Sequence, residues 1–243
     1  MKTNILVPMV GKGQRFKDAG YKEPKQLIMV GHQQMLDWSL SCINYSNSNL
    51  IFIVRRDTIT DWGMDQVLKN KFGEDIKIVV AEEDTDGTVS SCLLAEDFID
   101  NELPLSITTL DMYFEPHFDP SQMRTDVDGV ILTFYADNPA YSYSKINENG
   151  FVTETAEKEL ISNHASVGLY HFTKGKDFVK YAKEMVKRNI RTKNEFYVCP
   201  LYNLFIEDGK KITTYEIDNL YSMGTPDERN YFLENQYESL QHQ

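Results

Sequence analysis

The chain has 243 residues, with 41% hydrophobic and 26% charged side chains and a formal net charge of −12. That length buries a sizeable core without disulfide or metal staples, and the composition excludes the disordered and fibrous classes. The negative balance disfavours binding to nucleic acid, because affinity for polyanions comes from Lys and Arg neutralising phosphates. Against that background any local cluster of positive charge is informative, and the N-terminal segment from Lys12 to Lys25 holds one. No apolar run approaches the roughly 20 residues of a membrane span, so a cytoplasmic protein with no membrane partner is expected. Cys42, Cys92 and Cys199 are odd in number and irregularly spaced, which fits reduced thiols rather than a disulfide framework or a metal clip.

In chain order, Asn4 to Val10 is an apolar run, too short for a signal segment, that ends in Gly11-Lys12-Gly13-Gln14-Arg15. This is the pattern of a buried first strand feeding a phosphate-handling loop. Helical apolar spacing follows at Met35, Leu36, Trp38, Leu40 and Ile43, and Leu50 to Val54 is a second buried strand. The resulting strand–helix–strand unit favours a parallel sheet. Residues 59–72 are predicted as one helix, 76–80 as a strand, 88–98 as a helix and 105–110 as a strand that delivers Asp111 to its carboxyl end. Ligands of such an open doubly wound sheet bind at the carboxyl ends of the strands. Beyond Asp111 the pattern is mixed. A strand at 129–134 and a hairpin at 144–152 turning on Asn149-Gly150 precede a strand at 167–172. Helices at 174–189 and 196–208, a strand at 212–217 and a helix at 226–239 with Pro226 in its first turn complete the chain.

The sharpest chemical feature is Gly11-Lys12-Gly13-Gln14-Arg15-Phe16 followed by Pro24-Lys25. Glycines after a strand let backbone N–H groups approach phosphate oxygens, and Arg15 and Lys25 can neutralise charge that builds up at a phosphorus as a leaving group departs. The loop lacks the Gly-Lys-Ser/Thr ending of a Walker A motif, and Phe16 occupies the third glycine position of the dinucleotide fingerprint. His117, His164 and His171 show no metal spacing and are expected to be structural or exposed.

These residues resemble the opening of the sugar-phosphate nucleotidyltransferase family, which includes glucose-1-phosphate thymidylyltransferases. The resemblance continues in order through Glu157-Lys158, Ala165-Ser-Val-Gly168-Leu-Tyr-His-Phe, Asn194-Glu-Phe-Tyr197 and Ser222-Met-Gly224-Thr225-Pro226. It implies a doubly wound, Rossmann-like mixed α/β sheet of the nucleotidyltransferase (glycosyltransferase-A-like) type. It also implies a single domain over 1–243, with a nucleotide-binding half at 1–115 and an acceptor-binding half with the C-terminal helix at 116–243. The implied partners are an NTP and a phosphorylated small-molecule acceptor such as a sugar 1-phosphate, and the implied cofactor is Mg2+ at Asp111. Homo-oligomers are frequent in the family.

By the same resemblance, Arg15, Lys25 and Asp111 are the catalytic residues. Met9, Val10, Gly11, Lys12, Gly13, Glu83, Gly87 and Thr88 bind the nucleotide, and Ser142, Tyr143, Glu157, Lys158 and Gly168 the acceptor. Strand alternation would point Glu157 and Lys158 apart, so an irregular backbone is expected at that pair. Relatives with this loop also activate phosphocholine or other non-sugar phosphates, which leaves the acceptor class open. A nucleotide-sugar glycosyltransferase is the competing enzyme reading, although such enzymes usually carry Asp-x-Asp where this chain has Asp111-Met112-Tyr113. Many relatives place an acidic second metal ligand two residues before the closing Gly-Thr, where this chain has Ser222. That departure leaves room for an inactive nucleotide-binding relative, or for another carboxylate such as Asp218.

Overall fold

The computed structural model describes residues 2–240. Strand β1 (Thr3–Met9) passes through a loop into the short helix α1 (Gln14–Asp18), then a ribbon of β2 (Met29–Val30) and β3 (Gln33–Gln34), and α2 (Met35–Ser41). β4 (Ser48–Arg55), α3 (Arg56–Trp62), α4 (Met64–Phe72), β5 (Lys77–Ala81), α5 (Thr88–Leu93), α6 (Glu96–Ile99) and β6 (Leu105–Thr108) follow. Next come β7 (Met112–Glu115), β8 (Gly129–Tyr135), the hairpin β9 (Ser142–Ile146) and β10 (Val152–Glu157), and β11 (His164–Phe172). α7 (Gly175–Lys187), α8 (Val198–Glu207), β12 (Ile212–Glu216), β13 (Asn219–Ser222), α9 (Pro226–Asn235) and α10 (Tyr237–Leu240) close the described chain.

Among the described residues the main sheet has nine strands. β5, β4, β1 and β6 are parallel neighbours, with Asn4 opposite Asn49 on one side and Leu105 on the other. β11 joins antiparallel to β6, β8 antiparallel to β11, and β12 parallel to β8. The hairpin meets β11 at Ala165–Tyr143, and β7 with β13 forms a separate antiparallel pair. Ile5, Val7, Phe52 and Val54 enter one apolar layer, while Leu6, Ile51 and Ile53 enter the other. Burial on both faces is the reason these strands are apolar at consecutive positions instead of alternating. The architecture is the doubly wound mixed α/β fold expected.

Three predicted helices are broken. Gly63, at φ 58°, ends α3 and starts α4, a left-handed position that glycine adopts without a Cβ penalty. The helix expected at 88–98 divides into α5 and α6, and the terminal helix divides at Gln236. The β2–β3 and β7–β13 ribbons had no sequence signal, since strands of two to four residues carry too little periodicity. Cys42, Cys92 and Cys199 are buried free thiols. His171 is a core residue bonded to Ser106 at 2.9 Å, and burial pushes its pKa down to about 4. Among the described residues, no helix is long and apolar enough to cross a membrane.

Candidate active site

A cleft of about 680 Å³ opens beyond the carboxyl ends of β1 and β6. Val10, Gly11, Lys12, Gly13, Arg15 and Lys25 line it from the first segment, Gly87 and Thr88 from the start of α5, and Asp111 from the loop after β6. Gly13 sits at φ 62°, and an added Cβ there would lie 3.4 Å from the Cβ of Lys25. Its carbonyl accepts the N–H groups of Phe16 and Lys17, which turns the chain into α1. Phe16 is buried edge-on against Tyr21, so α1 is anchored while its neighbour Arg15 stays exposed.

Lys25 opens a single 3-10 turn after Pro24 and donates from Nζ to Asp111 Oδ2 at 2.8 Å. The two side chains are 20% and 27% exposed, so the pair is partly shielded from water. Burial opposes ionisation of Asp111, but the charge and hydrogen bond of Lys25, with lesser contributions from the Thr109 side chain and the residue's own backbone, hold the carboxyl below its ordinary pKa. Asp111 Oδ1 is buried with no hydrogen-bond partner. The Asp111 carbonyl accepts the Met223 N–H at 2.7 Å, which ties the closing Gly-Thr-Pro segment to the cleft. At the other edge, Lys12 Nζ lies 2.5 Å from Asp84 Oδ2, and Arg55 pairs with the second oxygen at 2.6 Å. Hydrogen bonds from Lys12 first and Arg55 second hold the Asp84 carboxyl below its usual range.

Gly87, at φ 115°, is glycine for a reason that lies across the molecule. A Cβ there would stand 2.5 Å from Phe196 N and 2.7 Å from Phe196 O. The Phe196 N–H donates to Asp86 O and its carbonyl accepts the Val89 N–H, so the segment before α8 is zipped onto the loop before α5. Arg191 reinforces the junction through Asp86 at 2.9 Å and by lying 4.0 Å over the Phe196 ring. This closure brings Glu195 into the cleft wall.

Ser142 and Glu157 face each other across the β9–β10 register, and the Ser142 hydroxyl donates to the Glu157 carboxylate. Glu157 is almost wholly covered, and burial raises its pKa despite the opposing pull of Ser142 and Lys158. The irregular backbone expected here is present: Lys158 has φ 56°, a left-handed conformation uncommon for a non-glycine residue. Its Nζ donates to the Tyr197 hydroxyl at 2.9 Å, lies 4.6 Å above that ring, and is 3.6 Å from Glu157 Oε1. The left-handed turn thus brings together two side chains that a regular strand would separate.

Several expected positions fall elsewhere. Tyr143 is fully buried and its hydroxyl donates to Asn138 O, so its side chain belongs to the core. Met9 is buried at the end of β1. Glu83 faces a neighbouring groove with Arg55 and Arg56, and Asp84 takes the place on the cleft wall expected of Glu83. Ser142, Glu157 and Lys158 form their own cluster outside the lining of the 680 Å³ cleft. Gly168 acts at one remove: at φ 82°, it accepts the Thr109 N–H, and a Cβ would come within 2.5 Å of Thr109 Oγ1. Asp218 is exposed, with its N–H bonded to Glu115 O, and is not part of the cleft.

Gln26, Thr109, Asp84 and Glu195 line the cleft without having been assigned a site role from the sequence, although Glu195 lies in the Asn194–Tyr197 motif. Gln26 carried a usable signal, being a polar side chain between Lys25 and the apolar Leu27-Ile28, and it is buried. The other three are brought in by loop geometry. Among the described residues no group of three or more His, Cys, Asp or Glu is arranged to hold a metal ion.

Comparison with known proteins follows the same lines. The family model described as nucleotidyl transferase matches residues 6–208. A comparison with curated proteins gives no match. Among solved structures, a nucleoside-diphosphate-sugar pyrophosphorylase from Vibrio cholerae RC9 is similar at 25% identity and a TM-score of 0.83, covering 95% of this chain and 100% of that one. A UDP-glucose pyrophosphorylase complexed with UDP-glucose aligns over 100% of both chains with a TM-score of 0.76. Its identity is 16%, so that likeness concerns the fold.

Proposed function

The chain belongs to the nucleotidyl transferase family, and we propose that this enzyme moves a nucleoside monophosphate from an NTP onto a sugar 1-phosphate, releasing pyrophosphate. The observation that carries this reading is the Lys25–Asp111 pair at 2.8 Å, set in a glycine-lined cleft that also presents Lys12 and Arg15. An oxygen of the acceptor phosphate forms a bond to the α-phosphorus in line, the α–β bridging bond breaks, and its electron pair leaves with pyrophosphate. Such transfer asks the protein for placement and charge stabilisation rather than covalent chemistry.

Lys12 and Arg15 meet the triphosphate, and Lys25 meets the transferring phosphate. The backbones of Gly11 and Gly13 let phosphate oxygens approach, and Gly87 and Thr88 border the nucleobase side. Asp111 Oδ1, a buried hard oxygen with no partner, fits Mg2+, and Asp111 is the residue that would hold it. When bound, the ion supplies further neutralisation of phosphate charge. Glu157 accepts hydrogen bonds from acceptor hydroxyls while Lys158 reaches the acceptor phosphate. Residues 1–115 and 116–243 act as nucleotide and acceptor halves of one unit, and the main sheet running through both supports their being one unit. Buried reduced thiols support a cytoplasmic setting.

The test is pyrophosphate release from a panel of common NTPs against several sugar 1-phosphates and phosphocholine. Release with a sugar 1-phosphate is expected. Release with phosphocholine alone overturns the acceptor class, and no release with any pair overturns the activity.

A further inference from the structure

Ser222 stands where many relatives have an acidic metal ligand, so a second carboxylate, if this chain has one, must come from another element. The structure offers a specific one. Gly224 lies directly beside Asp111, and an added Cβ at Gly224 would sit 3.2 Å from Asp111 Oδ2 and also 3.2 Å from Glu228 Oε2. The two carboxylate oxygens therefore border the same small space beside Gly224. Lys25 offsets only one of the two negative charges, through Asp111 Oδ2, while Asp111 Oδ1 is buried without a partner.

The ordinary reason for a glutamate at this position is helix capping. Thr225-Pro226-Asp227-Glu228 has the Thr-x-x-Glu form in which the glutamate reaches back to the N–H of the capping residue. Half of that arrangement is present, since the Thr225 hydroxyl accepts the Glu228 N–H at 3.2 Å. The reciprocal bond is not made, whereas at α2 the equivalent pair of Gln34 and Asp37 is complete. Among the described residues the Glu228 carboxylate has neither a hydrogen bond nor an ion pair. Its Oε2 instead borders the space beside Gly224 that Asp111 Oδ2 also borders, and the side chain shares a groove with Ser222 and Tyr141. A like-charged pair of partly covered carboxylates, with one ammonium bonded to only one of them, is stable when a hard cation supplies the missing charge.

We propose that Glu228 is the second carboxylate of the magnesium site in this chain, taking over from α9 the role for which β13 supplies only Ser222. The proposal rests on the nucleotidyl-transfer reading above. It makes the metal site span the loop after β6 and the first turn of the C-terminal helix, so that metal binding also secures that helix to the cleft.

Mn2+ binding, followed by loss of the free-ion electron paramagnetic resonance signal with and without an α,β-methylene NTP analogue, tests the assignment. Glu228→Gln should weaken Mn2+ binding by about tenfold or more, in the range of lost metal-site interactions. Ser222→Asp introduced into that variant should recover most of the affinity, because it restores a carboxylate bordering the same groove. Glu228→Asp keeps the charge but withdraws it by one methylene, and an intermediate loss is expected; this variant serves if Glu228→Gln does not fold. Unchanged Mn2+ affinity in Glu228→Gln or Glu228→Asp overturns the proposal, as does a wild-type protein that binds no Mn2+ under either condition. Pyrophosphate release by the wild type tests the transfer reaction separately, so failure of one is distinguishable from failure of the other.

Discussion

Replacing Lys25 by Met preserves the length of the side chain and removes its charge. At 2.8 Å from Asp111 Oδ2, the ammonium attracts the carboxylate by about 6 kcal/mol at an effective dielectric constant of about 20, before desolvation is subtracted. If about half of that interaction is available to the charge developing around the α-phosphorus, the variant loses about 3 kcal/mol of transition-state stabilisation, or roughly 100-fold in kcat. Steady-state pyrophosphate release at saturating NTP and acceptor reads this directly. A second readout comes from pH. In the wild type the folded-state pKa of Asp111 is depressed, so its contribution to stability is fully present above the unfolded value of about 3.9 and is lost as pH falls through the lower folded value. Without Lys25, burial is the dominant remaining influence and raises that pKa. The ionised carboxyl is then destabilising at neutral pH, and acidification relieves it. The difference in Tm between the two proteins should therefore be largest near pH 7 and shrink towards pH 3. A variant with unchanged kcat and only a raised NTP KM, or a Tm difference constant across this range, would refute the reasoning.

Asp111→Asn should abolish magnesium-dependent turnover while leaving the thermal unfolding transition cooperative; unchanged turnover at saturating substrate removes Asp111 from the site. Glu157→Ala should raise the acceptor KM far more than the NTP KM, and normal acceptor kinetics would dissociate the Ser142–Glu157–Lys158 cluster from the acceptor. Gly168→Ala combines a left-handed backbone with a Cβ only 2.5 Å from Thr109 Oγ1. A loss of about 2–4 kcal/mol in urea unfolding is expected from strain and overpacking together, and a loss near zero would show that Thr109 gives way freely.

The amino-acid order alone determined the parallel part of the sheet, because strands buried on both faces must be apolar at consecutive positions, as Ile5-Leu6-Val7 and Ile51-Phe52-Ile53-Val54 are. It also determined the glycine loop with its cations and the strand end that carries Asp111, since Gly13, Arg15 and Lys25 are close in sequence and their chemistry is local. The break at Gly63 was less legible, because glycine within a helical pattern can be tolerated or can stop the helix, and packing chooses. Only the tertiary structure decided which carboxylate lines the cleft between Glu83 and Asp84, since adjacent side chains after β5 diverge and the loop's path selects one. The same holds for Gly87, whose lack of a side chain answers to the backbone of Phe196 more than one hundred positions away. It holds for Glu228 as well, which has the sequence of a helix cap but whose Oε2 lies beside Gly224, next to the space that Asp111 Oδ2 borders. Backbone preferences and apolar periodicity act between near neighbours and can be read along a chain. The meeting of side chains from distant segments depends on how the layers pack, which no local pattern encodes.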